Sequence, residues 1–137
     1  MKRLLIVAFV ALFTLASCEK DYTQDLAGTS WSAVETLTGS FQGTPTQISL
    51  RVEMNFLAEA QGHINIHFNS AIDGQTILSD DRSNDFTFTF DGRNGVITTI
   101  PNEGEAESRY MFHRTSDDEM NMIVNFNQVD YRLNFHR

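Results

Sequence analysis

The chain has one cysteine, Cys18, and no lysine after Lys20. A disulfide within the chain is therefore excluded, and neither a lysine nucleophile nor Schiff-base chemistry is available beyond Lys20. Positive charge is also scarce, because 18 acidic residues outnumber 10 basic ones and give a formal net charge of −8 at pH 7. A surface of this sign repels phosphate backbones, so we expect no nucleic-acid partner.

The N-terminal segment has the layout of a cleaved secretory signal. Two basic residues precede an almost wholly apolar stretch, residues 4–15, and the small residues Ala16 and Ser17 follow it. The apolar stretch is too short to span a membrane as a helix, which takes roughly 20 residues. We therefore assign residues 1–17 to a signal peptide and exclude them from the fold.

The residues before Cys18, which read Leu-Ala-Ser, resemble the lipobox of bacterial lipoproteins. The resemblance implies that the Cys18 thiol is diacylglycerated, that the chain is cut before Cys18, and that acyl chains hold the protein on a membrane. The alternative is an ordinary signal peptide with a coincidental cysteine. An unpaired cysteine in an exported protein calls for an explanation, however, and lipidation supplies one. Lipidation of this thiol also excludes thiol catalysis.

Acidic residues follow the predicted lipid site. The sequence Glu-Lys-Asp at residues 19–21, with Asp25 close behind, is similar to the acidic export signal of Bacteroidota surface lipoproteins. The resemblance implies an outer-membrane location with the protein facing the cell surface, and the alternative is a protein that faces the periplasm. We expect residues 18–26 to form a lipidated acidic tether and residues 27–137 to form one domain.

Most of the remaining chain alternates between apolar and polar residues, which predicts strands with one buried face and one wet face. The alternation is clearest in residues 48–56, 64–68, 86–90, 120–126 and 131–136. Weaker patterns predict strands at residues 30–37, 75–78, 96–100 and 109–114. Since the connections are short and polar, the sequence predicts an all-β fold, an up-and-down antiparallel meander of about eight strands closed into a small barrel.

Two acidic clusters, residues 80–85 and 117–119, are predicted to be turns between strands. Neither cluster has the ligand spacing, the central glycine and the terminal glutamate of an EF-hand loop. Weak calcium binding at the first cluster is the alternative to a plain turn.

The sequence Leu-Ala-Gly-Thr-Ser-Trp at residues 26–31, followed by a meander to the chain end, resembles the opening of lipocalin-like (calycin) domains, which many small Bacteroidota lipoproteins carry. The resemblance implies a barrel floor closed by Gly28 and Trp31, with Arg132 or Arg137 of the last strand packed on the indole. Two residues separate this glycine and tryptophan, where lipocalins usually have one. Another class of small-barrel lipoprotein is the alternative.

A barrel of eight strands is wide enough either to be filled by side chains or to hold one small ligand. The predicted inward positions carry many phenylalanines, which favours a filled core, and their few polar residues are Thr98, Tyr110, Arg114 and Tyr131. If the barrel is hollow, we expect Phe88, Tyr110 and Tyr131 to line the ligand space, because lipocalin-like domains bind at the barrel mouth.

Histidines are the candidate metal ligands. His63 and His67 lie on one face of a predicted strand, and a rise of about 3.3 Å per residue separates their Cα atoms by about 13 Å, too far for one shared zinc ion. We expect them to be solvated or paired across strands, with no metal site. The sequence also has no HExxH motif, nucleophile elbow or phosphate-binding loop. We therefore expect neither a cofactor nor enzymatic activity.

Two functions remain for the predicted protein. The first is an outer-membrane, non-enzymatic binding module for a small apolar molecule or a glycan. The alternative is a protein–protein interaction or inhibitor lipoprotein, whose filled barrel acts on an envelope protein or an enzyme through its outer surface. A cavity above roughly 300 Å³ favours the first function. A filled core with an exposed apolar patch favours the second.

Overall fold

The computed structural model describes residues 22–126 and 128–137. The predicted signal peptide, Cys18 and the first residues of the predicted tether lie outside the described residues. A turn of 3-10 helix at Thr23–Asp25 precedes eight strands: β1 (Ser30–Phe41), β2 (Thr44–Phe56), β3 (Gln61–Ile72), β4 (Gln75–Phe90), β5 (Asn94–Thr99), β6 (Arg109–Arg114), β7 (Glu119–Phe126) and β8 (Val129–His136).

Each strand pairs antiparallel with the next, and β8 pairs with β1, so the sheet is a closed barrel with its strands in chain order. The predicted all-β, up-and-down barrel of eight strands is confirmed. Such a closed meander is the architecture of a small lipocalin-like barrel.

The connections between strands lie at two ends of the barrel. The end that we call the base carries the 3-10 helix, the C-terminal residue and the connections at residues 57–60, 91–93 and 115–118. The opposite end, the mouth, carries the β1–β2, β3–β4 and β7–β8 hairpin turns and the longer β5–β6 connection at residues 100–108. The described chain thus enters and leaves the barrel at its base.

The packed domain begins earlier in the chain than the predicted boundary at residue 27. Thr23 and Leu26 are buried, and Tyr22 packs against the core, although the sequence assigns all three to the tether. The helix is held to β1 by Thr29, whose hydroxyl donates to the Leu26 carbonyl (2.6 Å) and accepts from the Trp31 indole N–H (2.8 Å). Because the Leu26 side chain is completely buried, residue 26 belongs to the packed domain and not to an exposed tether.

Strand β4 is 16 residues long and contains the acidic cluster that was predicted to be a turn. The prediction of a turn at residues 80–85 is wrong, because the outward side chains of this segment have polar partners on β3. Asp81 and Asp85 lie opposite His67 and His63 in the register of the two strands. These cross-strand pairs stabilise a strand whose composition alone is typical of a turn.

The half of the barrel nearer the base is filled by aromatic side chains. The Phe56 ring lies 5.5 Å from Phe86, 4.9 Å from Phe88 and 5.7 Å from Phe112, measured between ring centroids. Edge-on and tilted contacts of this kind are the favoured arrangement of aromatic pairs. The Phe112 ring also lies over the backbone of Gly95, where any Cβ atom would overlap it. The base is therefore a packed core.

Closure of the barrel is tighter at the base than at the mouth. Strands β1 and β8 are joined by one residue pair, Ser32 with His136, and β6 pairs with β7 only over residues 112–114. Strand β5 pairs with residues 86–90 of β4, so residues 75–85 of β4 extend past it toward the mouth. The edge of β4 in this region faces the β5–β6 connection instead of a strand.

Candidate functional site

The inner face of β4 changes character along its length. Phe86, near the base, is fully buried, and the same alternation continues toward the mouth through Asn84, Arg82 and Asp80. On β1 the inner row passes in the same direction from Trp31, which is buried, to Glu35, which is only partly buried. The barrel interior is thus apolar at the base and polar at the mouth.

A chamber of about 490 Å³ lies where the polar part of β4 faces the β5–β6 connection. We call it the mouth chamber. Ile64 and Ile66 of β3 give it an apolar floor, and both side chains are almost completely buried. Its polar lining includes Asp80, Arg82, Asn84, Thr99, Ser108 and Tyr110. Its volume lies in the range of small-molecule sites.

The β5–β6 connection forms one wall of the mouth chamber and is hydrogen-bonded to the edge of β4. The Ile100 N–H donates to the Asp85 carbonyl (2.7 Å), and the Asn102 side-chain amide donates to the Ser83 carbonyl (3.1 Å). Glu105 and Ala106 of the same connection line the chamber. These bonds stand where a neighbouring strand would otherwise pair with β4.

Glu105 links this wall to the inner row of β4. Its carboxylate accepts a hydrogen bond from the Asn84 side-chain amide (2.9 Å) and another from the Asn102 backbone N–H (3.2 Å). The bond from Asn84, followed by that from Asn102, lowers the pKa of Glu105 below its ordinary value, because both stabilise the charged carboxylate. The carboxylate therefore stays ionised at neutral pH.

Arg82 is the one cationic side chain that lines the mouth chamber within the described part of the chain. Its guanidinium group lies 3.2 Å from the Asp80 carboxylate, and both side chains remain partly exposed, at 47% and 40%. An ion pair this open to solvent adds little to stability. Because the Arg82 side chain is 47% exposed, a molecule that enters the chamber can contact it.

The structure separates the three residues that were predicted to line a ligand space. Tyr110 lines the mouth chamber. Phe88 is 4% exposed and packs on Phe56 in the base, and Tyr131 is 4% exposed within the core. Burial raises the pKa of the Tyr131 hydroxyl, because loss of water disfavours the phenolate. The structure therefore places Tyr110, but not Phe88 or Tyr131, on the mouth chamber.

The predicted inward polar positions also need one correction on β5. Ile97 and Thr99 are buried, with exposures of 0% and 6%, whereas Thr98 between them is more exposed. Strand alternation therefore places Thr98 on the outer face. Arg114 is at the base, where its guanidinium group donates to the Ser116 carbonyl (3.0 Å) and to the Asp117 carboxylate (3.2 Å).

The predicted closure of the barrel floor is found for the indole but not for Arg132. Trp31 is 2% exposed, and Gly28, at a φ of 78°, donates its N–H to the Phe56 carbonyl (2.8 Å). Arg132 is exposed and alternates with buried residues on either side of it, so it points outward and does not pack on the indole. Thr29 supplies the polar partner of the indole instead.

The histidines of β3 lie on the outer face, each beside its own acid. His63 Nδ1 lies 2.8 Å from the Asp85 carboxylate, and His67 Nδ1 lies 2.8 Å from that of Asp81. The predicted cross-strand pairing is confirmed. No group of three or more histidine, cysteine or acidic side chains in residues 22–126 and 128–137 is placed to hold a metal ion.

A larger concavity, of about 980 Å³, runs along β4 to β8. Its lining includes Phe88 and Phe112, which point inward, and Val96, Met111 and Ile123, which point outward. Alternate residues of a strand lie on opposite faces of its sheet, so these side chains cannot surround one chamber. Because the inward rings are at most 4% exposed, the usable space is a shallow groove on the outer face.

Sequence reasoning missed the polar side chains that β4 and the β5–β6 connection bring to the mouth chamber. Extending the alternation backwards from Phe86 would have placed Asn84, Arg82 and Asp80 on the inner face. The predicted turn at these residues interrupted that extension. The pattern contained no such signal for Glu105 and Ser108, because their positions depend on how the β5–β6 connection, residues 100–108, folds back over the edge of β4.

Comparisons with protein-family models, with curated proteins and with solved structures give no match to this chain. Among the described residues, no helix has the length and apolar character needed to cross a membrane.

Proposed function

We propose that this protein is a lipoprotein of the outer membrane, anchored through Cys18, and that it binds one small molecule in the mouth chamber without chemically changing it. The observation that carries the proposal is the chamber itself. An apolar floor of Ile64 and Ile66 lies beneath a polar lining, so the chamber can hold the apolar part of a small ligand and orient it by hydrogen bonds.

The position of the chain's entry into the barrel supports a mouth that faces away from the membrane. Tyr22 packs at the base, near Gly92 of the β4–β5 connection. The four residue steps from Cys18 to Tyr22 span at most about 14 Å. An acylated Cys18 would therefore hold the base close to the bilayer and leave the mouth at the far end. For a surface-facing lipoprotein, this orientation presents the chamber to the medium; a periplasmic orientation remains the alternative.

The charge states of the chamber support binding without catalysis. A general acid or base works best with a pKa near the operating pH. The pKa of Glu105 is instead lowered by its hydrogen bonds, and Asp80 is engaged by Arg82. The Glu105 carboxylate is therefore not poised to exchange a proton at neutral pH.

A bulky side chain in the chamber wall tests the proposal. Ala106 lines the chamber and is exposed, so Ala106→Trp should obstruct the space without disturbing the core. The matched control is Ala58→Trp, in an exposed connection at the base. Binding of cyclohexanol, benzoate and benzylamine, which are neutral, anionic and cationic, is measured by calorimetry on the full lipoprotein in detergent.

We expect at least one of these probes to bind the unmodified protein and the Ala58→Trp variant, and to bind the Ala106→Trp variant at least about tenfold more weakly, a loss of about 1.4 kcal/mol. Equal binding by both variants would contradict a ligand site at the mouth.

A second function is favoured by one specific feature of the outer face. Val96 lies opposite Met111 across β5 and β6, and Met111 and Ile123 are 76% and 50% exposed. An exposed apolar row suits a protein–protein contact. If the protein binds a partner protein through this row, Met111→Glu should abolish that binding, and Ala106→Trp should leave it intact. The proposed function at the mouth requires the opposite result.

A further inference from the structure

The polar groups of the mouth chamber outnumber its apolar ones. Its apolar contribution comes chiefly from Ile64, Ile66 and Ala106. The remaining side chains offer a guanidinium group, a carboxamide, carboxylates and several hydroxyls. Arg82 supplies N–H donors, and the Tyr110 hydroxyl can donate and accept. The chamber therefore presents donors and acceptors in close alternation above a small apolar floor.

This composition disfavours a wholly apolar ligand. Such a molecule would displace water from Arg82, Asp80 and Tyr110 without offering any hydrogen bond in return. Polar groups that are desolvated and left without a partner weaken binding. Most of the apolar surface of the ligand would also remain in contact with polar groups, because the floor is narrow.

The arrangement of charge disfavours a strongly charged ligand. An anion drawn to Arg82 would also meet the inward carboxylates of Asp80 and Glu105, which line the same space. A cation would meet the guanidinium group, which is within 3.2 Å of Asp80. Placing like charges next to each other costs on the order of several kcal/mol in a partly desolvated site. A neutral ligand avoids both penalties.

Hydroxyl groups fit this lining because each one can donate and accept a hydrogen bond. A carboxylate such as Asp80 accepts, Arg82 donates, and the hydroxyls of Ser108 and Tyr110 do either. The C–H face of a sugar ring is apolar and would lie on the isoleucine floor. Such a ring satisfies the polar rim and the apolar floor at once.

We propose that the mouth chamber binds a neutral saccharide, with hydroxyls hydrogen-bonded by Arg82, Asp80 and the neighbouring hydroxyl side chains. This inference rests on the proposed function, since it names the ligand class of the same site. It narrows the sequence-based expectation of an apolar molecule or a glycan to the second of these.

A matched pair of arginine variants tests the inference. Arg82 and Arg51 each form an exposed ion pair with an acid two positions away on the same strand, Asp80 and Glu53 respectively. Arg82 lines the chamber, whereas Arg51 lies on the outer face of β2. Substituting each by Ala thus removes a comparable surface interaction, and only Arg82→Ala removes a donor from the chamber.

The full lipoprotein in detergent is titrated with glucose, galactose, mannose, N-acetylglucosamine, maltose and cellobiose. We expect at least one of these sugars to bind, Arg82→Ala to weaken its binding by about tenfold or more, as for lost hydrogen bonds to a charged group, and Arg51→Ala to leave it unchanged. Equal weakening by both variants would overturn the siting in the chamber.

The small probes named for the proposed function separate the two ideas. If cyclohexanol, benzoate or benzylamine binds in the chamber but no sugar does, the saccharide inference is wrong and the binding module stands. If neither set binds, both are wrong.

Discussion

Strand β4 runs through both halves of the barrel and contributes a different inner row to each. Near the base its inward side chains are Phe86, Phe88 and Phe90, all at most 5% exposed. Toward the mouth the inward positions are Asn84 and Arg82, which are open to the chamber. The same backbone pattern therefore supplies a packed core at one end and a polar cavity at the other.

The packed core and the proposed ligand site therefore lie at separate ends of this barrel. Aromatic burial at the base contributes most of the packing, because each buried aromatic side chain removes a large apolar area from water. At the mouth, exposed ion pairs and hydrogen bonds to the β5–β6 connection contribute little to stability. Changes at the base should therefore unfold the protein, and changes at the mouth should alter binding.

The largest expected effect comes from the centre of the aromatic cluster. Phe56 contacts the rings of Phe86, Phe88 and Phe112, and it is fully buried. Phe56→Ala should lower the free energy of unfolding in urea by about 3–5 kcal/mol. Tyr110→Ala, at the mouth, is the comparison and should cost clearly less. Similar losses for the two variants would remove the distinction between a solid base and an open mouth.

The next effect compares one glycine in each half. A Cβ at Gly95 would overlap the Phe112 ring and lie 2.6 Å from the Thr89 carbonyl, so Gly95→Ala should cost about 1–3 kcal/mol through overpacking. At Gly39, in the β1–β2 hairpin, a Cβ would meet the end of the Ile48 side chain at 3.3 Å and the Thr46 carbonyl at 4.0 Å. Gly39→Ala should shift the urea midpoint much less. A larger shift at Gly39 would show that the hairpin is as tightly packed as the base.

Removal of the hydroxyl that joins the 3-10 helix to β1 should have a comparable or slightly smaller effect. Thr29→Val leaves the buried Trp31 indole N–H without its acceptor, at a cost of about 1–3 kcal/mol. Thr29→Ser keeps a hydroxyl at that position and should retain most of the stability. If Val and Ser variants unfold at the same temperature, the hydrogen bond to Trp31 is not what stabilises the base.

The smallest expected effect concerns the wall of the mouth chamber and its pH dependence. Because the pKa of Glu105 is lowered in the folded protein, its stabilising contribution is present above the ordinary value of 4.5 and is lost as the pH falls through the lower folded value. The protection of the Ile100 and Asn102 backbone amides, measured against the intrinsic exchange rate at each pH, should fall in that range, while the protection of the buried Ile97 amide should not. Glu105→Gln should reduce this pH dependence. An unchanged dependence in the variant would exclude Glu105 as the group responsible.

Much of the fold could be predicted because burial of one face imposes a period of two on the sequence. The alternation in residues 48–56 predicted most of β2, and the phenylalanines at residues 86–90 predicted the base half of β4. The mouth half of β4 could not be recognised in this way, since its inner face is polar as well as its outer face. Its strand character depends on partners such as His63 and His67, which are distant in sequence.

The candidate site was less predictable than the fold for the same physical reason. Tyr110 was identified because an aromatic residue on an inward position is visible in the pattern. Arg82 and Asn84 resemble surface residues by type, and only the register of β3 with β4 shows that they face the interior. Arg132 shows the reverse error, because its residue type matched the lipocalin resemblance although strand alternation directs it outward.

Three isoleucines give the most direct test of where a ligand binds, since each lies in a different environment. Ile64 lies in the floor of the mouth chamber, Ile97 is fully buried in the core, and Ile123 is exposed on the outer face. Isoleucine δ1-methyl NMR spectra of the full lipoprotein in detergent are recorded with and without cyclohexanol, benzoate and benzylamine. We expect a bound probe to shift the Ile64 methyl signal and to leave the signals of Ile97 and Ile123 in place. A shift confined to Ile97 would contradict the packed core, and a shift confined to Ile123 would place the binding surface outside the barrel.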